Sequence, residues 1–270
     1  MKHADEYVAR FHREARDFEA ALRTAARADA APLVPSCPGW SIADLAAHLG
    51  GVHRFVARIL RDRLQVPPDT SDLTLFELPA DLTGWPDPAK GPHTGPLHPQ
   101  LPDWFARGAT ALEELLRSGS DDDPVWSWSA DHTAGFWLRV QTVEAAVHRW
   151  DAQGALGERA PIDAELAAEA VGLHFGLLVP GWRAMGSAPR GGGERFAFRR
   201  TDGGGGAWTV SFEGDEVRVA EGGAEAADVT VSGGAAELLL FLWGRVPAER
   251  MGVAGDRELL PRLFELAPNP

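Results

Sequence analysis

The hydrophobic pattern of this chain changes period near residue 155, and this change constrains the fold more than any other feature. Before it, apolar residues recur every three or four positions, as at Val8, Phe11, Ala15 and Phe18. After it, stretches such as "RFAFRR" and "AWTVSFEG" alternate with period two. The first period is typical of helices and the second of strands. The sequence therefore predicts an α+β protein, with a helical domain over 1–156 and a smaller α+β domain over 157–270.

The first domain is predicted to be a four-helix bundle. Its amphipathic stretches cover residues 5–28, 42–64, 101–117 and 136–154. Ser41, with Asp44 three residues later, forms the capping box expected at the start of the second helix. The intervening residues 65–100 contain eight prolines and little periodicity. They are predicted to be a long loop, and loops of this length tend to be functional or mobile.

The second domain is predicted to combine a sheet with helices. A helix is expected over 163–178, followed by a hairpin in which "TDGGGG" joins the two alternating stretches quoted above. "EVRVAEG" and "ADVTVSG" also alternate and extend the sheet. "GAAELLLFLWGR" is predicted to form a buried helix, and "GDRELLPRLFELAP" a closing one.

Charge and composition exclude several classes of partner. The formal net charge is −13 and the sequence pI is about 5.1, which argues against nucleic acid or an anionic membrane as partner. The single cysteine, Cys37, excludes an internal disulfide and a zinc site built from several thiolates. The charged N-terminus lacks a secretory h-region, and no apolar stretch reaches the roughly 20 residues of a membrane span. A cytoplasmic monomer or homodimer is expected.

The stretch "QTVEAAVHRWD" contains the two residues that best suggest a functional site. Glu144 and His148 are four positions apart, and therefore share one face of the predicted helix. They are open to interpretation as a surface ion pair, as polar groups in a core, or as two ligands of a metal. "DLAAHLGGVHR" offers His48 as a third ligand, whereas His53, about 140° further round that helix, is assigned to the surface or to packing. Two imidazoles and a carboxylate form a recurrent catalytic zinc set with an open position, and nickel or ferrous iron also suits them.

Three segments carry a family resemblance. "VPSCPGWSIADLAAHLGGVHRF" and "RVQTVEAAVHRWDAQ" resemble the signature segments of the mycothiol-dependent maleylpyruvate isomerase family, a branch of the DinB-like metal-binding bundles. "ADVTVSGGAAELLLFLWGR" resembles the family's C-terminal domain, an α+β unit similar to sterol-carrier folds. The three segments occur in the family's order and together account for nearly the whole chain.

The resemblance implies a site and two cofactors. It implies that a divalent metal, most readily zinc, is held by His48, Glu144 and His148, and that mycothiol uses the open metal position. It also implies that Arg245, in "LWGR", reaches the site as a catalytic residue. The partners expected are thus a small-molecule substrate and a low-molecular-weight thiol.

The implied reaction depends on forming a thiolate. The thiolate is the nucleophilic form of a thiol, and coordination to a metal deprotonates it. Its addition to C2 of a cis-enoyl diacid, rotation about the new single bond and expulsion of the thiol would give the trans isomer. Retention of the adduct would instead make a thiol S-transferase. Arg245 or Arg139 would supply the cation that holds a substrate carboxylate.

Neighbouring residues and rival functions remain open. Asp151 either orients His148 as a hydrogen-bond acceptor or is solvated at the helix end. His132 is a candidate for lining the site, while Cys37 lies in a turn and is not expected to be the nucleophile. The rival functions are a non-catalytic protein that binds a metal or an apolar ligand, and a hydrolase that uses metal-activated water.

Overall fold

The computed structural model describes residues 2–186, 188–222 and 226–268, and its chain divides into two compact units. The first unit, called the helical domain below, runs to Ser127 and resumes over His132–Pro161. The second, called the α+β domain, comprises Trp128–Asp131 and the chain from Ile162 onwards. Among the described residues, no helix is both long enough and apolar enough to cross a bilayer.

Four long helices build the helical domain. They are α1 (Lys2–Ala25), α2 (Ile42–Asp62), α3 (Leu101–Ser118) and α4 (Ala134–Ala155). Helix α1 packs against α3 and α4, and α2 packs against the same two helices. Each helix lies within three residues of its predicted bounds, because the apolar stripe that the sequence shows is also the face that is buried.

Helix α4 is the most buried of the four. Apolar side chains occupy most of its circumference, and Phe136, Ala145, Val147 and Ala152 are essentially inaccessible. A helix that is apolar all round belongs in the interior. The polar residues of α4 are therefore carried into the core, and this places the "ExxxH" pair inside the domain.

Side-chain caps fix where α2 and α4 begin. The Asp44 amide donates to Ser41 Oγ at 3.3 Å, and the Ser41 amide donates to Asp44 Oδ2 at 2.8 Å. The predicted capping box is thus confirmed. Thr133 caps α4 by accepting from the Phe136 amide at 3.2 Å. Such caps satisfy amides that no helical carbonyl reaches.

The segment 65–100 has no long element, as predicted, but it is ordered locally. Two short 3₁₀ turns cover Leu73–Phe76 and Pro88–Lys90. Four aspartates each accept, through Oδ1, from the backbone amide two residues later, at 2.9–3.2 Å. These Asx turns are closed by Asp69, Asp72, Asp81 and Asp87. Each one orders the backbone without help from distant residues.

A mixed five-stranded sheet forms the α+β domain. Its strands are β1 (Gly191–Arg200), β2 (Ala207–Gly214), β3 (Glu216–Glu221), β4 (Val229–Gly233) and β5 (Gly252–Gly255), in the order β3-β2-β1-β4-β5. Strands β1 and β4 pair in parallel, and the other neighbours pair antiparallel. The predicted hairpin is β1–β2, with Phe196 opposite Val210. The helical domain followed by this sheet domain confirms the predicted α+β fold class.

The helix predicted over 163–178 is not a single regular helix. It consists of α5 (Ala164–Leu173), a π-helical turn (His174–Leu178) and α6 (Val179–Met185). Pro180 explains the break, because it has no amide to continue the helical ladder. Apolar periodicity does not report such a change of winding.

Two predictions near the C-terminus need correction. The buried helix α7 (Ala235–Leu242) is confirmed, but strand β5 was missed, because "GVAG" has only two side chains beyond glycine and shows no alternation. The closing helix α8 (Leu260–Leu266) is shorter than predicted. Asp256 instead caps a 3₁₀ turn, its side chain accepting from the Glu258 amide at 3.1 Å.

Candidate metal centre

The structure brings His48, Glu144 and His148 together inside the helical domain. His48 lies on α2, the other two lie one turn apart on α4, and one donor atom from each is within 4.8 Å of the others. The two imidazole rings are nearly perpendicular, with centroids 5.4 Å apart. His148 Nε2 is 3.8 Å from Glu144 Oε2. Within the described part of the chain, no second group of His, Cys, Asp or Glu converges in this way.

Burial rules out a surface ion pair. The His148 side chain is 8% exposed and that of Glu144 is 19% exposed, while His48 is half-buried. Buried charged groups are ordinarily paired or bound to a metal. The three donors therefore stand at the edge of the core, where a small ligand can reach them.

Asp151 orients His148. Its carboxylate is fully buried, and Oδ2 lies 3.1 Å from His148 Nδ1. Oδ1 accepts from Ser36 Oγ at 2.6 Å, and Oδ2 also accepts from Cys37 Sγ at 3.3 Å. The solvated alternative for Asp151 is therefore wrong. Since an aspartate accepts, Nδ1 of His148 carries the proton, and the Nε2 lone pair is left for a ligand beside Glu144.

His53 is a packing residue, which is one of the two alternatives predicted for it; the other was a place on the surface. Its ring lies 5.4 Å from those of both Phe11 and Phe105, and it has no exposed surface. Neither ring nitrogen has a hydrogen-bond partner among the described residues. Burial, reinforced by Arg54, His48 and His148, lowers the pKa of His53 to about 3, so the ring is neutral at physiological pH.

Gln141 is a second buried polar residue, and it is not among the site residues predicted from the sequence. It lies one turn before Glu144 on α4 and has no exposed surface. In the described part of the molecule, neither its amide oxygen nor its amide nitrogen finds a partner. The signal available in the sequence was its place in the same i, i+3, i+7 row as Glu144 and His148.

A cavity of about 790 Å³ adjoins His48 within the helical domain. Helix α2, Trp104 of α3 and the segment 65–100 form its walls. Its lining residues are Trp40, Ala47, His48, Gly51, Val52, Phe55, Thr70, Leu73, Phe76, Leu78, Leu82, Trp85, Pro86, Asp87, Lys90 and Trp104. The segment predicted only as a long loop therefore builds one side of the site, and its scattered leucines and aromatics were the available signal.

Trp104 is held rigidly at the back of this cavity. Its indole N–H donates to the Phe76 carbonyl at 2.9 Å, which ties α3 to the segment 65–100. The Arg54 guanidinium stacks on the ring, 4.0 Å from its centroid, and donates to the Trp104 carbonyl at 2.7 Å. Burial lowers the pKa of Arg54 to about 10, partly offset by Glu77. Arg54 thus remains charged at neutral pH and supports the wall from behind.

The remaining predicted site residues are placed as follows. Arg245 follows α7 in the α+β domain and donates through Nη1 to the Trp243 carbonyl at 2.7 Å. Arg139 is half-buried on α4. His132 is exposed before α4, and its Nδ1 accepts from the Ser127 amide at 3.4 Å. The functional roles of these three residues stay predictions.

A helical domain with a His–Glu–His cluster between two helices, followed by a mixed sheet domain, defines a two-domain protein of DinB-like architecture. Residues 8–153 match the family model for the mycothiol maleylpyruvate isomerase N-terminal domain, and residues 165–262 match the model for the MDMPI C-terminal domain. The chain belongs to the mycothiol maleylpyruvate isomerase family.

Solved structures show the same fold. A mutant of the mycothiol-dependent maleylpyruvate isomerase, in which a histidine is replaced by alanine, is similar with a TM-score of 0.57 at 15% identity. A second crystal structure of the mycothiol-dependent maleylpyruvate isomerase has a TM-score of 0.54 at 14% identity. Each match covers 93% of this chain and 92% of the other. A search of curated proteins found no match.

These matches confirm the predicted membership of this enzyme family and the predicted fold. They extend over both domains, so the resemblance carried by three short segments holds for nearly the whole chain. The domain boundary at 156–157 and the metal-ligating role of the cluster stay predictions.

Proposed function

We propose that the chain is a metal-dependent enzyme that uses mycothiol to isomerise, or to conjugate, a small electrophile. The observation that carries this proposal is the convergence of His48, Glu144 and His148 within 4.8 Å at the edge of the large cavity. Family membership supports the thiol and the isomerase chemistry. The cluster supports the metal.

The donor set fits a divalent metal. Two imidazole nitrogens and one carboxylate oxygen are a known zinc set, and three protein ligands leave a position for a ligand that is not protein. Nickel and ferrous iron accept the same donors, and zinc is our first choice. When bound, the metal would supply a Lewis-acid centre that lowers the pKa of a thiol so that the thiolate is present at neutral pH.

The protein's own residues prepare the cluster for this role. Asp151 holds the proton on Nδ1 of His148 and so fixes the tautomer that offers Nε2. Trp40 packs edge-on against His48, with ring centroids 5.1 Å apart, and restricts its rotation. Glu144 supplies a carboxylate beside the two imidazoles. The cavity that adjoins His48 is lined mainly by apolar side chains.

The proposed reaction needs no oxidant or reductant. The thiolate sulfur forms a bond to one carbon of the double bond, and the π electrons move to the conjugated carbonyl. Rotation about the resulting single bond and return of the electron pair expel the thiolate and give the trans isomer. Protonation of the adduct instead gives a conjugate. Arg245 is proposed to hold an oxygen of the electrophile through its guanidinium N–H groups, and Arg245→Lys would then raise KM although charge is kept.

The reaction is proposed to run in the cytoplasm, where low-molecular-weight thiols stay reduced. The enzyme is proposed to be a monomer or a homodimer.

Two rival functions predict a different dependence of turnover on mycothiol. A hydrolase that uses activated water needs no mycothiol. A binding protein turns nothing over, with or without the thiol. Full turnover in the absence of mycothiol would favour the hydrolase.

Metal content is the direct test. Purified wild type is compared with His48→Ala and Glu144→Ala, and His132→Ala serves as the control because this histidine is exposed and outside the cluster. We expect about one equivalent of metal in wild type and control, lost in both cluster variants while circular dichroism is unchanged. Equal metal content in all four proteins would refute the assignment.

A further inference from the structure

We infer that the electrophile, although a small molecule, is bulkier than a short-chain diacid and predominantly apolar, and is not a dicarboxylate. This inference rests on the proposed function and adds the substrate class to it. It comes from the cavity beside His48, which is large, aromatic and nearly devoid of charge. Family membership by itself does not lead to it, since maleylpyruvate is a small dicarboxylate.

The size of the cavity suits a large ligand. Its volume of about 790 Å³ lies high in the range of roughly 300–1,000 Å³ that is usual for drug-sized ligands. The wall on α2 is the row His48, Val52 and Phe55, with Gly51 beside it. Seven residues of helix extend about 10 Å. A ligand whose reactive carbon is near His48 would therefore have about that length of wall for its body.

The lining has the wrong chemistry for a dianion. Five of the lining side chains are tryptophan or phenylalanine rings that face the space together with leucines of the segment 65–100. Among the described lining residues, Lys90 is the one lysine or arginine, and it is already paired with Asp87 at 2.9 Å. A carboxylate moved from water into such a space loses hydration without gaining a fixed cation. The net charge of −13 adds a general repulsion.

The walls are ordered before any ligand binds. Trp104 is fixed between the Arg54 guanidinium and the Phe76 carbonyl. The opposite wall is ordered by the Asx turns, two of which are closed by Asp72 and Asp87. A preformed apolar cavity binds an apolar body without the cost of ordering a loop. This is the property expected of a site that takes its affinity from shape and burial.

Gly51 offers a way to fill the cavity without touching the cluster. A Cβ at this position would lie 3.7 Å from Phe76 Cδ1, an ordinary contact, so a larger side chain enters the space rather than the backbone. Gly51→Leu is therefore the test variant. Gly176→Leu is the matched control, because Gly176 is exposed and nothing lies within 4 Å of its Cβ position. Circular dichroism and metal content monitor folding in both.

The first measurement is equilibrium binding of a neutral aromatic probe, N-phenyl-1-naphthylamine, to the metal-loaded protein, followed by probe fluorescence. We expect saturable binding that Gly51→Leu weakens by about tenfold or more and that Gly176→Leu leaves unchanged. We also expect that millimolar maleate does not displace the probe. Unchanged binding in Gly51→Leu, or displacement by maleate, would overturn the inference.

The second measurement compares two acceptors in the presence of mycothiol. One is a neutral aromatic α,β-unsaturated ketone, and the other is maleylpyruvate. We expect kcat/KM for the ketone to exceed kcat/KM for maleylpyruvate by about tenfold or more. Gly51→Leu should reduce this ratio. A preference for maleylpyruvate overturns the inference but leaves the proposed function standing. Absence of turnover with both acceptors, together with Gly51-dependent probe binding, defeats the proposed function and shows instead an apolar-ligand-binding protein.

Discussion

Asp151 is a fully buried carboxylate near the end of α4, where an aspartate is ordinarily solvated. Contacts with His148, Ser36 and Cys37 help to retain it in the core. Because it fixes the His148 tautomer, we expect Asp151→Asn to weaken metal affinity by about 10–100-fold. Competition with a chromophoric chelator measures this affinity. The exposed Asp122→Asn is the control, and equal affinities in both variants would contradict the role.

His174 makes the stability of the α+β domain depend on pH. The ring is buried, with no hydrogen-bond partner among the described residues, and burial lowers its pKa to about 3. The unfolded chain has the ordinary value near 6.5. Above pH 6.5 both states are neutral. Between pH 6.5 and 3 only the unfolded state takes up the proton, so the free energy of unfolding falls by about 1.4 kcal/mol per pH unit.

The variant His174→Leu should remove the pH-dependent contribution of His174 to the free energy of unfolding. At pH 5 we expect its loss of stability relative to pH 7.5 to be smaller than that of wild type by about 2 kcal/mol. Urea unfolding at the two pH values, followed by tryptophan fluorescence, measures the difference. His132→Leu, at an exposed position, should behave as wild type. An identical pH dependence in His174→Leu would show that the burial of this ring does not control the effect.

At the residue scale, the sequence was informative where spacing and resemblance met. Spacing on α4 indicated that Glu144 and His148 share a face, and "DLAAHLGGVHR" offered His48 as a third ligand. The resemblance then favoured the metal site over the other interpretations. Neither reports burial, which is decided by packing against other elements. The environment of Asp151 therefore stayed open between two alternatives, and Gln141 was not singled out. The role of Arg245 depends on tertiary arrangement, which a one-dimensional pattern does not contain.

Two adjacent glycines on α2 have opposite surroundings. A Cβ on Gly50 would lie against the Trp104 ring, 2.8 Å from Cη2, and Arg54 fixes that ring from behind. A Cβ on Gly51 would meet Phe76 at an ordinary 3.7 Å. Helix α2 can therefore approach α3 closely at Gly50 only because this residue has no side chain.

The pair Gly50→Ala and Gly51→Ala tests this close approach, each serving as the other's control. Overpacking should cost Gly50→Ala about 1–3 kcal/mol of unfolding free energy, offset in part by the higher helix propensity of alanine. Gly51→Ala should instead gain up to about 1 kcal/mol. Urea midpoints measure both. Similar midpoints for the two variants would show that Trp104 yields to the added methyl.

At the element scale, the predictable parts were those with clean periodicity and clear caps. The four long helices and the β1–β2 hairpin follow from apolar spacing and from "TDGGGG". The π-helical turn at His174–Leu178 and the short strand Gly252–Gly255 do not. The first results from a backbone donor missing at Pro180. The second forms because β4 offers a free edge, which is a tertiary circumstance rather than a local preference.

Metal binding should stabilise the helical domain against heat. A ligand that binds only the folded state adds about 2.7 kcal/mol at a hundredfold excess over its Kd, and this corresponds to roughly 5–10 °C in Tm for a domain of this size. We expect zinc to raise Tm in wild type and a chelator to reverse the rise. In His148→Ala the shift should vanish. A shift of the same size in wild type and variant would show that zinc binds elsewhere.

At the scale of the molecule, the change of hydrophobic period was enough to predict a helical domain followed by a sheet domain. It could not predict the cavity. The residues that line the cavity come from α2, α3 and a segment without periodicity, and they meet only after the helices pack. Side chains that line an empty space follow no repeat in the sequence, because each is placed by a different turn of the chain.

The Asx turns of the segment 65–100 also bear on how this scaffold can change its specificity. Each aspartate closes its own turn, so the path of the backbone does not depend on the side chains between the turns. Leu73, Leu78 and Leu82 lie among these turns and face the cavity. Substituting them one at a time should change the shape of the ligand that the cavity accepts, while the helices and the proposed metal ligands stay the same. For directed evolution, this short stretch is the natural place to concentrate a library.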